Sequence, residues 1–192
     1  MNKNNKSNIT VTIIFIIIQC LTIVGYINRH VYKHILGLFL FTAIFLIYTY
    51  FKVKLNIYIK LYITNLVILT ILGNNLGGEY FGFYYKSQTY DKLLHIVGSY
   101  AFSLFIYTLI CHFFPTVNLN RWREFIFIVL IGATVGMVFE LMEFAADVIF
   151  RPDIPNQSDL LDTDLDMIND LVGAAIAALH VYVGKFKIID DR

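Results

Sequence analysis

A chain of 192 residues that is 58% hydrophobic, 16% aromatic and only 15% charged is too apolar for an ordinary soluble domain. Its formal net charge of +1, with basic residues scattered around apolar segments, argues against a nucleic-acid partner. Cys20 and Cys111 lie singly inside apolar runs, without CxxC spacing, so they read as inert packing residues rather than a disulfide framework.

Six stretches approach the roughly 20 apolar residues that cross a bilayer. They lie near 9–27, 34–51, 55–73, 92–114, 124–150 and 166–184. The first follows a short polar, basic start. It is too long for a signal-peptide core and lacks a small-x-small cleavage site, so it reads as a retained helix. Lys60, near the start of the third helix, snorkels to the interface. Tyr80-Phe81-x-Phe83-Tyr84-Tyr85 reads as an interfacial aromatic belt. Lys3, Lys6, Lys52, Lys54, Arg121, Arg123, Lys185, Lys187 and Arg192 gather on one side of the predicted topology. Basic loops are retained in the cytoplasm, so both termini are expected there, with loops near 28–33, 74–91 and 151–165 outside. The expected fold is all-α: a polytopic six-helix bundle in the cell membrane, residues 1–192 forming a single membrane domain. Residues 1–90 carry helices one to three, and residues 91–184 carry the site-bearing helices four to six.

The acids are the informative residues, because ionisable groups at membrane depth are costly and mark function by default. Asp91 and His95 are one helical turn apart, with Gly98 on the same face and Ser99 beside it. Gly132, Gly136, Glu140 and Glu143 form a second stripe, continued by Asp147. Asp166, Asp170, Gly173 and Ala177 form a third. Small residues at such spacings let membrane helices approach closely. At 1.5 Å per residue, His95 and Asp170 each lie roughly 6 Å below the start of their helices. Glu140 and Glu143 lie roughly 24 and 28 Å along a helix that runs the other way, across a core of about 30 Å. All therefore reach one layer near the outer interface. The inner set is Asp91, His95, Glu140, Glu143, Asp166 and Asp170. Asp147, Asp153, Asp159 and Asp164 belong to the rim or loop, and Asp162 stands between the two groups.

Carboxylates and imidazole are the ligands of Mg²⁺, Mn²⁺, Fe²⁺ or Zn²⁺. Packed acids need a cation, shared protons or a basic group to coexist. A divalent metal is therefore the expected cofactor, with His95, Glu140, Glu143 and Asp166 as ligands and Asp91, Asp162 and Asp170 in support. Glu140, Glu143 and His95 are the expected catalytic groups, by metal-activated water or by acid–base transfer. Helix capping by Asp91 and Asp159, and plain ion pairing, are the bland alternatives. No GxGxxG, P-loop, HExxH or calcium loop is present.

Asp91-Lys92-Leu93-Leu94-His95 resembles the D-x-x-x-H opening of VanZ-like membrane proteins. Glu140-x-x-Glu143 and Gln157-Ser158-Asp159-x-x-Asp162-Thr163-x-x-Asp166-Met167 resemble more closely the YjdF-type inner membrane proteins, with Ser158 where that pattern has Gly. The resemblance covers residues 91–184 and implies a bacterial or archaeal integral membrane protein with these acids at its site. The expected function is action on an envelope lipid or cell-wall lipid headgroup, with the bilayer and that headgroup as partners. A proton- or cation-coupled transporter and a non-enzymatic membrane scaffold are the alternatives. The transporter needs polar residues continuing across the bilayer. Helices four to six offer mainly Ser99, Ser103, Thr108 and Thr134 for this.

Overall fold

The computed structural model describes residues 3–114, 120–152 and 155–184, with side chains from residue 9 onward except at Gln88. The expected charges Lys185, Lys187 and Arg192, together with Pro115 and the rim acid Asp153, lie outside the described residues. Among those described, the chain is helical and has no strand. Helices α1 (Lys3–Asn28), α2 (Ile35–Lys54) and α3 (Leu61–Leu72) are followed by a π-helical segment, Gly73–Tyr80, that continues α3 without a break. A single turn, α4 (Phe83–Lys86), precedes α5 (Gln88–Phe113), α6 (Arg121–Phe150) and α7 (Leu160–Val183). Six helices are long and apolar enough to cross a bilayer, counting α3 with its π segment as one. The chain divides into two compact units, residues 1–88 and 89–192.

In unit 1, α1 turns one stripe inward: Thr12, Phe15, Gln19, Thr22 and Tyr26, at alternating spacings of three and four. Its opposite face, including Ile13, Ile17, Leu21 and Val24, stays exposed, as a lipid-facing surface does. The Phe15 and Phe45 rings pack at 4.8 Å, joining α1 to α2. Tyr26 stacks on His34 at 5.4 Å and meets Tyr80 edge-on at 5.2 Å.

The third span differs from the sequence expectation. The chain turns at Asn56, which adopts a left-handed φ of 50° that Asn tolerates better than most residues, and α3 begins only at Leu61. At the other end the expected loop after residue 73 is helical. Asn74 Nδ2 donates to Asn75 Oδ1 at 3.0 Å and Tyr84 Oη donates to Asn74 Oδ1 at 2.5 Å, so polar side chains meet part of one another's needs where a loop would meet water, and Asn75 Nδ2 stays unpaired among the described residues. Gly78 admits the Tyr84 ring, which occupies the place where a Cβ would stand. The aromatic run is thus partly folded inward. Lys52, counted above as a loop charge, is buried, and its Nζ donates to Thr64 Oγ1 at 3.3 Å.

Unit 2 is built on close helix approach. A Cβ on Gly132 would meet the Ala174 Cβ and Ser103 Oγ, and one on Gly173 would meet the backbone of Ile96. The bare backbone at these glycines brings α5, α6 and α7 together around fully buried Ala101, Leu104, Ile128, Ala174, Ala177 and Ala178. Helix α7 begins six residues before the expected start. Asp159 is its N-cap, accepting the Asp162 N–H at 2.9 Å, and Asp162 in turn accepts from Ser158 Oγ at 3.0 Å. Asp162 and Asp164 are therefore helical rather than part of a loop.

Candidate functional site

The first turns of α5 and α7 meet the last third of α6 at one end of unit 2. His95, on the second turn of α5, is buried there with Glu140 of α6 and with Asp166 and Asp170 of α7; all four are at most 6% exposed. The helical stripes read from the sequence thus converge.

The imidazole organises the cluster. Its Nδ1 lies 3.2 Å from Asp170 Oδ2. Its Nε2 faces three carboxylates: Asp91 at 3.7 Å, Glu140 at 3.8 Å and Asp166 at 4.0 Å. The Phe139 ring stands edge-on to the imidazole at 5.5 Å. Ser99 Oγ donates to the Asp170 backbone carbonyl at 2.7 Å, fixing α7 against α5. Gly136 gives the Asp170 side chain its space, since a Cβ there would lie 2.5 Å from Asp170 Cγ.

Two further residues enter the cluster. Lys92 Nζ contacts both oxygens of Asp166, at 3.1 and 3.2 Å, donates to Asp162 Oδ1, and lies 3.9 Å from Asp91 Oδ2. Gln157, on the loop before α7, donates through Nε2 to the Glu140 backbone carbonyl at 3.0 Å and to its Oε2 at 2.9 Å. Neither was assigned a role from the sequence, although both lie inside the quoted motifs. A lysine between Asp91 and His95, and a glutamine two residues before the α7 cap, were the available signals.

Glu140 is left with Oε1 buried and without a hydrogen-bond donor among the described residues. That atom points at His95 Nε2. Donors that could hold one ion fall into two overlapping sets, Asp91–His95–Asp166 and His95–Glu140–Asp170, each with its donor atoms within 4.8 Å of one another. A metal–ligand distance of about 2.1 Å places neighbouring ligands roughly 3.0–3.5 Å apart. The carboxylates stand 3.7–4.0 Å from Nε2, and donors within a set up to 4.8 Å apart, so closing either set onto an ion would take shifts of about 1 Å.

The remaining acids divide. Glu143 is half-buried within the electrostatic reach of Glu140, Asp91 and His95, and it makes no hydrogen bond or ion pair among the described residues. Asp147 is a loop anchor: it accepts from Asn156 N at 2.9 Å, Asn156 Nδ2 at 2.6 Å and Gln157 N at 3.0 Å. Asp147 thereby holds the loop that brings Gln157 to Glu140. Asp164 is exposed. Asp162 links the α7 cap to Lys92.

A family model described as a predicted membrane protein (DUF2238) matches residues 8–185. A protein of Thermotoga maritima, titled only "Uncharacterized protein", is 34% identical over 116 residues, covering 58% of this chain and 57% of the relative. The chain thus spans little more than half the length of that relative. No solved structure matches.

Proposed function

The chain belongs to the DUF2238 family of predicted membrane proteins, and we propose that in this membrane protein the cluster around His95 is a divalent-cation site acting on a lipid headgroup. The observation that carries this reading is the two-sided use of the imidazole. Asp170 engages Nδ1, so the Nε2 lone pair is directed at Asp91, Glu140 and Asp166. A carboxylate behind a metal-binding histidine fixes its tautomer and raises its basicity. The bare Glu140 Oε1 supplies an anionic donor that no hydrogen bond satisfies among the described residues.

In this reading His95, Glu140, Asp166 and Asp91 hold the ion, and Asp170 and Gln157 orient His95 and Glu140. A bound divalent metal would polarise a phosphoryl or ester oxygen and lower the pKa of a water. Glu143, close by and uncommitted, would take that water's proton. Lys92 and Asp162, each about a quarter exposed, stand at the rim where a headgroup would enter. The VanZ-like and YjdF-type resemblance, with its cell-envelope setting and expected cytoplasmic termini, belongs to the same proposal.

A carrier using these acids is less favoured. Of the four hydroxyls that could relay a cation, Ser99 donates to the Asp170 carbonyl and Thr108 and Thr134 donate to their own helix backbone, so among the described residues Ser103 Oγ alone of the four stays unpaired.

The test is metal content and binding of the purified protein in detergent. We expect one or two divalent ions per chain after loading, lost in His95→Ala and Glu140→Gln. Absence of stoichiometric Mg²⁺, Mn²⁺, Fe²⁺ or Zn²⁺ at several pH values would remove the metal from the proposal. Headgroup release from mixed phospholipid vesicles, abolished by chelator, would test the substrate class.

A further inference from the structure

Unit 1 buries polar groups that the His95 cluster does not use. Gln19 is 1% exposed, and neither end of its amide has a hydrogen-bond partner among the described residues. It lies at the middle of the span Ile9–Asn28, where water is remote and an unmet amide is costly. Asn75, also 1% exposed, leaves its Nδ2 unpaired, while its backbone carbonyl lies 3.5 Å from Tyr26 Oη. Asn75 sits inside the π segment, a helical form that recurs at functional sites.

Two contacts set the register of these groups. Tyr26 reaches Asn75, and Phe15 packs on Phe45. Gln19 is therefore roughly 10 Å from Tyr26 along α1, and Phe15 roughly 6 Å further. Helix α2 runs the opposite way, so Lys52 lies roughly 10 Å beyond Phe45. Buried polar side chains thus recur over about 27 Å, close to the thickness of the hydrocarbon core. At one end Lys52 Nζ donates to Thr64 Oγ1; at the other His34 Nδ1 lies 3.0 Å from Glu79 Oε2, under the Tyr26 ring. The Phe15–Phe45 pair interrupts the column between Thr12 and Gln19.

We propose that unit 1 holds a file of water through the membrane, bound by Gln19 and Asn75 and dammed by the Phe15–Phe45 pair, along which protons pass. The amides each offer donors and an acceptor, so they can orient water without holding a fixed charge. An apolar constriction in such a file gates it by dewetting. No bond to the protein is made or broken.

Proton flux into liposomes carrying the full chain, loaded with a pH-sensitive dye and driven by a potassium gradient with valinomycin, tests this. The wild type should exceed protein-free liposomes, and Phe15→Ala should run several-fold faster. Adding Gln19→Leu to Phe15→Ala should return the rate to near the protein-free value. Glu140→Gln, in the other unit, should leave the flux unchanged, so the column and the metal site succeed or fail separately. Gel filtration checks each variant, and Phe45→Ala replaces Phe15→Ala if the latter is not monodisperse. A second readout uses Gln19→Cys on a Cys20→Ser, Cys111→Ser background, which should react with a small water-soluble methanethiosulfonate. Flux at the protein-free rate in wild type and aromatic variants, or an inert thiol at position 19, overturns the proposal.

Discussion

Gly136 and Asp170 occupy one space at the α6–α7 contact: a Cβ at position 136 would lie 2.7 Å from the Asp170 Cβ and 2.5 Å from its Cγ. The glycine is thus what lets Asp170 stand behind His95. Gly136→Ala should push the Asp170 side chain aside and weaken metal binding, with a modest loss of stability. Gly173→Ala meets the Ile96 backbone, which cannot rotate away, and should cost about 1–3 kcal/mol. Thermal unfolding and metal titration of the two variants should show this reversal of order.

Asp170→Asn keeps an acceptor for Nδ1–H but removes the charge behind the imidazole. Changes of this kind typically lower metal affinity about 10–100-fold. The fold should persist, because Ser99 bonds the Asp170 backbone rather than its side chain. Calorimetric titration of wild type and variant measures the ratio; equal affinities would mean that Asp170 does not act through His95.

Lys92 is the one lysine contacting Asp162 and Asp166 among the described residues. Breaking a buried pair costs about 3–5 kcal/mol. Lys92 is 21% exposed, so Lys92→Met should cost less, about 1–2 kcal/mol once solvent screening is allowed for. A divalent ion should then raise the melting temperature more in the variant than in wild type, because it replaces the missing positive charge. An equal rise in both would show that ammonium and metal do not share the carboxylates.

Asp159 and Asp164 look alike in sequence and should behave differently. Asp159→Ala removes the α7 cap and should cost about 1 kcal/mol. Asp164 is exposed on the helix, and its alanine variant should stay within about 0.5 kcal/mol of wild type. Hydrogen exchange over residues 160–163 should rise in the first variant alone.

The class of this protein and the stripes that carry its acids are legible in the residues alone. Composition and apolar run lengths specify spanning helices, because a bilayer demands helices of that length with their backbone bonded internally. Helical phase then places Asp91 with His95, Glu140 with Glu143, and Asp166 with Asp170. Which of these meet, and what else joins them, depends on how the helices pack. Glu143 stands apart from the hydrogen bonds although it shares a stripe with Glu140, because three residues along a helix also turn a side chain by about 60°. Asp147 reads as one more acid in the row, and its use as a loop anchor depends on Asn156 and Gln157 folding back nine and ten residues later. Lys92 and Gln157 reach the cluster across 70 residues to Asp162 and 17 residues to Glu140 respectively, separations that no local pattern encodes. The buried Gln19 and the π-helical turn at Asn75 were invisible for the same reason. A polar residue in an apolar run shows its cost in the sequence, but the neighbours that must meet that cost appear only when the helices pack.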